Sequence, residues 1–240
     1  MNRIKYLHIH LFTFLVIWLG LFLDSSRVDN QLAASFVSFL AFLWVYRAVS
    51  KSSQHMMLAG LVIAFCGELF FSLLLGMYTY RLENLPAYVP FGHAIVYVSV
   101  YYIVKEPLVK QYKEKIIKVL FILMIIYSSL WLLIGDDSFG FLCMLVILFL
   151  FKRYPTTKLF FLIMFFTIAY LEIIGTHYGC WVWPDVWFDK VSFVSSANPP
   201  SAISVFYFGF DAGCLWLYKR YDRKRWARLR VIQSRMSSAA

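Results

Sequence analysis

Basic residues alternate with long apolar runs in this chain, a pattern that only a membrane-crossing helical fold accommodates. Eight runs, roughly 7–23, 31–47, 57–76, 90–104, 116–134, 139–152, 158–175 and 201–218, read as spanning helices. A hydrocarbon core needs about 17–25 residues per helix, so 90–104 and 139–152 are short and would thin the bilayer locally. Of 23 Lys and Arg, 20 fall on one side of the resulting topology. They are Arg3 and Lys5, then Arg47 and Lys51, then Lys105, Lys110, Lys113, Lys115 and Lys118, then Lys152, Arg153 and Lys158. The remainder are Lys219, Arg220, Arg223, Lys224, Arg225, Arg228, Arg230 and Arg235 in the tail. Only Arg27, Arg81 and Lys190 lie opposite. Basic residues near helix ends stay in the cytoplasm, so an even number of spans with both termini inside is expected, in a bacterial inner membrane.

Composition excludes a water-soluble domain: 61% of residues are hydrophobic, 15% charged, and the mean hydropathy is +0.69. The net charge of +10 resides at helix ends and in the tail, so no nucleic acid partner is expected. Residues 1–240 read as one integral membrane domain, with 219–240 a basic cytoplasmic tail lying on anionic head groups and Trp226 an interfacial anchor. The first run ends in Asp24-Ser25-Ser26-Arg27 without a small-x-small cleavage site and is expected to be retained. Cys66, Cys143, Cys180 and Cys214 show no metal spacing and no disulfide framework.

The halves of the chain correspond. Glu68 precedes Gly76-Met77-Tyr78-Thr79-Tyr80, and Glu172 precedes Gly179-Cys180-Trp181-Val182-Trp183. Each segment is a carboxylate, a helical stretch, a Gly, then two aromatics separated by one residue, with Pro86 or Pro184 beyond. Setting Pro90 against Pro200 aligns Tyr97 with Tyr207 and Tyr101 with Asp211. Two like-oriented four-helix repeats, 7–104 and 116–218, are expected, related by an axis along the membrane normal.

Of the 13 acidic residues, Glu68, Glu172 and Asp211 fall inside apolar runs. A charge there costs at least about 2.5–3.5 kcal/mol, so such acids face a bundle interior. No intramembrane Lys or Arg pairs them, which leaves one another, Tyr, His93, His177, backbone or water as partners. Carboxylates gathered in low dielectric share protons, the condition of a general acid, although neutral hydrogen-bonded helix glue accounts for them too. Catalytic candidates are Glu68, Glu172, Asp211 and His93. Binding candidates are Tyr78, Tyr80, Tyr97, His177, Trp181, Trp183, Asn198 and Tyr207. No metal site and no cofactor are expected: His spacing for a metal is missing, as are the phosphate, dinucleotide and hydrolase motifs. The link 176–200, with Trp181, Trp183, Trp187, Phe188 and Phe193, is too apolar for water and is expected to fold back over the helix ends.

From Glu172 to Trp183, and from Glu68 to Tyr80, the chain resembles the membrane-bound carotenoid hydratase family, which pairs an intramembrane Glu with a Gly-rich exit and an aromatic-x-aromatic pair. Gly67-Glu68-Leu69 followed by Gly92-His93 is also similar to the eight-helix lysoplasmalogen hydrolase family, in which an acid after Gly and a His on the next helix recur. Both resemblances imply acid chemistry on a hydrophobic small molecule, an isoprenoid or membrane lipid. A protonated Glu172 or Glu68 would donate to a double bond or leaving group, Asp211 would act as base or orient water, and aromatic faces would stabilise a cation. Two other classes fit the same residues: a proton-coupled transporter and a scaffold subunit without chemistry.

Overall fold

The computed structural model describes residues 6–188 and 190–221, so the basic tail beyond Tyr221, Trp226 included, lies outside the described residues. The chain is mostly helical: α1 (Leu7–Leu23), α2 (Gln31–Ala48), α3 (Lys51–Glu68), α4 (Tyr88–Ile103), a short α5 (Pro107–Gln111), α6 (Lys113–Gly135), α7 (Ser138–Arg153), α8 (Lys158–His177) and α9 (Phe206–Tyr221). Four helical stretches, Gln31–Ala48, Lys51–Leu74, Lys113–Gly135 and Pro155–His177, are long and apolar enough to cross a membrane. The helices Leu7–Leu23 and Tyr88–Ile103 are apolar but shorter. Helix starts follow local chemistry: the side chains of Asn30, Ser50 and Asp137 accept from the backbone N–H of Ala33, Ser53 and Gly140.

Two departures from an all-helical chain matter for the site. Helix α3 does not end at Glu68 but runs on as a π-helical turn, Leu69–Leu74. Four short strands then form two ribbons at that end of the bundle. Strand β1 (Thr79–Tyr80) pairs antiparallel with β2 (Trp181–Val182), and β3 (Val186–Trp187) with β4 (Val191–Ser195). The strand β4 leads into a buried 3-10 turn, Ile203–Val205, so α9 begins five residues later than the apolar run at 201 suggests.

Packing centres on α4, which lies against α1, α2 and α3, while α9 packs on α3. Small residues permit that last approach: a Cβ on Gly60 would meet the Phe210 ring at 3.2 Å, and one on Gly213 would meet Ile63 at 3.1 Å. The halves do not repeat this arrangement as wholes. Helix α1 packs on α2 and α4, whereas α6 packs on α7 and α8. Outward faces are apolar; Leu133 and Ile134 of α6 are 80% and 83% exposed.

Candidate functional site

Two arms of the chain converge on one cavity. In the first, Glu68 sits at the last turn of α3, only 5% exposed, and its Oε2 accepts from both Tyr78 Oη and Tyr80 Oη at 2.7 Å. In the second, Glu172 of α8 uses its Oε2 to accept from Trp181 Nε1 at 2.8 Å and Trp183 Nε1 at 3.0 Å. Each carboxylate is thus gripped by two aromatic donors one residue apart, borne by the strand that follows its own helix.

The local backbone explains how two different sequences reach that geometry. Gly76 and Gly179 turn the chain out of the helix with φ of +62° and +68°, a conformation that side chains with a Cβ rarely adopt. Counting from the acid, the glycine comes eight residues on in the first arm and seven in the second. The π turn absorbs the extra residue, since Leu75 N–H donates to Phe70 one position further back than an α-helix requires. After it, Met77 N–H reaches Phe71 O, as Cys180 N–H reaches Gly175 O in the second arm. Gly175 has its own reason: the Trp181 indole lies across it, where a Cβ would collide with the ring.

The arms then pair with each other. Thr79 stands opposite Val182 and Tyr80 opposite Trp181. The Tyr78 and Trp183 rings lie 4.6 Å apart and the Tyr80 and Trp181 rings 6.1 Å apart, in tilted and edge contacts. Burial first, and the Glu68 charge second, hold the Tyr78 and Tyr80 phenols well above the usual tyrosine range, so both remain protonated donors.

His93 supplies an imidazole to the site. Its Nδ1 lies 3.0 Å from Val89 O, and a carbonyl can only accept, so Nδ1 carries the proton. Its Nε2 faces Glu68 Oε1 at 3.5 Å. A proton placed on either atom would lie between the two. The His93 ring stacks on Tyr207 with 4° between planes.

All of these side chains line a cavity of about 910 Å³, at the upper end of the roughly 300–1,000 Å³ usual for ligand pockets. The rest of its wall is chiefly aliphatic and aromatic, from α1, α3, α4, α7, α8 and the start of α9. Part of the ribbon link folds back over it, Trp187 lining the cavity while stacking on Phe139 at 5.4 Å, whereas Phe193, expected to fold back with it, stands 85% exposed on β4.

Of the residues singled out from sequence, Glu68, Glu172, His93, Tyr78, Tyr80, Trp181, Trp183 and Tyr207 come together here. Four do not. Asp211 is half-buried and accepts from Tyr97 Oη, and neither residue is on the cavity wall. The expected trio of acids is therefore a pair plus a separate Asp–Tyr contact, because α9 starts late and turns Asp211 toward the middle of α4. His177 is exposed at the end of α8 beside Tyr178. Asn198 supports the site indirectly, its Oδ1 accepting from Trp183 backbone N–H at 3.0 Å.

Two buried aspartates that look like loop residues in the sequence brace the arms. Asp24, fully buried, accepts from Arg81 Nη2 at 2.9 Å and Tyr88 Oη at 2.7 Å, while its backbone carbonyl takes Arg81 Nε. Asp137, fully buried, accepts from the backbone N–H groups of Gly140, Ala197 and Ser201. Each clamps the segment that follows its half's aromatic strand. Apolar runs ending in Asp carry no signal of this, because all the partners but Gly140 lie more than fifty residues away. Among the described residues no cluster of three or more His, Cys, Asp or Glu is placed to hold a metal ion. Comparison of the chain with protein-family models, curated proteins and solved structures finds no match, so what the site can do follows from its own geometry.

Proposed function

We propose that this protein is an integral membrane enzyme that protonates an apolar, unsaturated ligand, an isoprenoid or lipid, inside the bilayer. The observation that carries the reading is the Glu68–His93 pair on the wall of a large apolar cavity, faced by a second carboxylate held only by non-titrating indoles. In this scheme the proton between Glu68 Oε1 and His93 Nε2 is transferred to a ligand double bond or leaving group. Phenol donors on Oε2 stabilise the carboxylate that results. The Glu172 carboxylate, gripped by two indole donors, and the faces of Tyr78, Trp181, Trp183 and Tyr207 then stabilise the cation formed.

The membrane arrangement belongs to the same proposal: eight spans, both termini cytoplasmic, and the ribbon end outside. A reporter fused after Arg235 is expected to read cytoplasmic, and one at Asp136 external; an external C-terminus overturns the count. The matched arms, with their glycines, acids and paired strands, support an internal duplication of like orientation, with an axis along the bundle that passes near the Thr79–Val182 pair.

The test is chemical. Lipid extracted from membranes containing the protein or Glu68→Gln is compared by mass spectrometry after incubation with unsaturated isoprenoids. Product with the parent chain and none with Glu68→Gln is expected; equal product from both defeats the reading. The duplicated arms also favour a proton-coupled transporter, in which acids near the midplane of two repeats drive exchange. There, Glu68→Gln would abolish pH-driven solute flux into proteoliposomes with no new product.

A further inference from the structure

The cavity wall is not closed all round. Helix α7 packs closely on α6 and on the 3-10 turn Ile203–Val205, while its contact with α9 is slight. Further along, α7 and α9 meet where the Phe151 ring comes within 6.1 Å of Phe208, which is itself stacked on Phe161 at 3.5 Å. Between those two contacts, Leu142 and Val146 of α7 line the cavity and are 47% and 49% exposed. Across from them, Cys66 of α3 and Gly209 of α9 also line the cavity and are exposed. A Cβ on Gly209 would meet nothing within 4 Å. The gap is a slot with α7 on one side and α3 and α9 on the other.

The chemistry of the slot indicates what passes through it. Its edges hold Leu, Val, Cys and Gly, with no charge and no strong hydrogen-bonding side chain, and the flanking surface is as apolar. The acids, the imidazole and the phenol and indole donors lie inside, on Glu68, Glu172, His93 and the aromatic strands. A charged or strongly hydrated solute would lose its hydration at such an edge without compensation. An apolar chain dissolved in lipid loses nothing there and gains contact with the aromatic wall.

Resting on the proposed membrane function, we infer that the slot between α7 and α9 is a lateral portal, through which a long apolar chain enters from the hydrocarbon layer and brings its reactive group to Glu68 and His93. The ligand class is accordingly an elongated isoprenoid or acyl chain with unsaturation at the end that enters first, and not a water-soluble metabolite.

Photo-crosslinking tests this without relying on turnover. A diterpene alcohol carrying a diazirine is incorporated with the full-length protein into phospholipid vesicles, irradiated, and the adducts are mapped. Adducts on Cys66, Leu142 and Val146 are expected to exceed those on Leu133 and Ile134 of α6, which sample bulk lipid, by about tenfold, a discrimination of 1.4 kcal/mol. Untagged alcohol should remove the excess. Gly209→Trp and Val146→Trp, which fill the slot from opposite sides, should each lower adducts in the 77–80 segment by a similar factor while leaving α6 labelled. Equal labelling of α6 and the slot in the parent protein overturns the portal, whatever the variants do. Glu68→Gln separates the two ideas: labelling kept with product lost leaves portal and acid both standing, and product formed without slot labelling removes the portal alone.

Discussion

The Glu68 and Glu172 arms have nearly the same architecture and different partners around the acid. Both present a carboxylate to two aromatic donors on a strand that leaves its helix through a left-handed glycine. In the first arm the donors are phenols and an imidazole stands on the other oxygen, within reach of a proton carried by the acid. In the second the donors are indoles, which only give a hydrogen bond. One frame, filled differently, sets phenols and an imidazole around one carboxylate and indoles around the other. The backbone reflects the same division: the Glu68 arm needs a π turn to bring its glycine into place, while the Glu172 arm reaches it with an ordinary helix and a Gly175 cleared for the larger indole.

The largest expected effect breaks this comparison outright. Glu68→Gln removes the transferable proton, and product formation should fall by on the order of 10²–10⁴-fold, the usual share of general acid catalysis. Glu172→Gln keeps an acceptor for the two indoles and loses only charge. The expected fall is about ten- to a hundredfold, from roughly 1.5–3 kcal/mol of lost stabilisation of a charged group. Rates measured on both variants decide the matter; if Glu172→Gln is the more damaging, the roles of the arms are exchanged.

His93→Asn sharpens it next. Asparagine can still donate to Val89 O but cannot hold the shared proton. The rate should drop by about tenfold or more, and His93→Gln, which also keeps a donor but no imidazole, should fall alike. An undiminished rate in both would make His93 a packing residue.

A smaller effect addresses the frames themselves. Gly76→Ala and Gly179→Ala each place a Cβ in the left-handed region, at about 1–2 kcal/mol in thermal stability. Deleting one residue between Leu69 and Leu74 converts the π turn to the spacing of the other arm and should be tolerated better than deleting one between Ile173 and Tyr178. Equal damage would mean that the π turn is not what equalises the arms.

The smallest effect is spectroscopic. Burial and the neighbouring Glu68 charge raise the Tyr78 and Tyr80 phenols, so their neutral forms are favoured in the folded protein. The stability they contribute is fully present below the ordinary tyrosine value near 10 and is lost as pH rises above it. In an ultraviolet titration, Tyr78→Phe and Tyr80→Phe should leave the phenolate signal up to about pH 10.5 unchanged; a reduced signal there would show that these phenols ionise freely.

Much of this was legible in the residues alone, for definite reasons. Apolar runs and the placement of Lys and Arg report on helices because each is a local matter of solvation. The doubled acid–glycine–aromatic order was visible because each arm lies within a dozen residues, and it named Glu68, Glu172 and all four aromatic donors. What tertiary structure decided were relations between distant segments. Asp211 has the same intramembrane signature as the two glutamates, yet it pairs with Tyr97, since the late start of α9 sets which way it faces. Asp24 and Asp137 look like solvated loop residues but are buried clamps, because their partners arrive from remote turns of chain. The pairing of β1 with β2, the contact of His93 with Glu68 and the slot between α7 and α9 are likewise set by how helices meet, which depends on the fit of whole side-chain surfaces rather than on any one stretch of sequence.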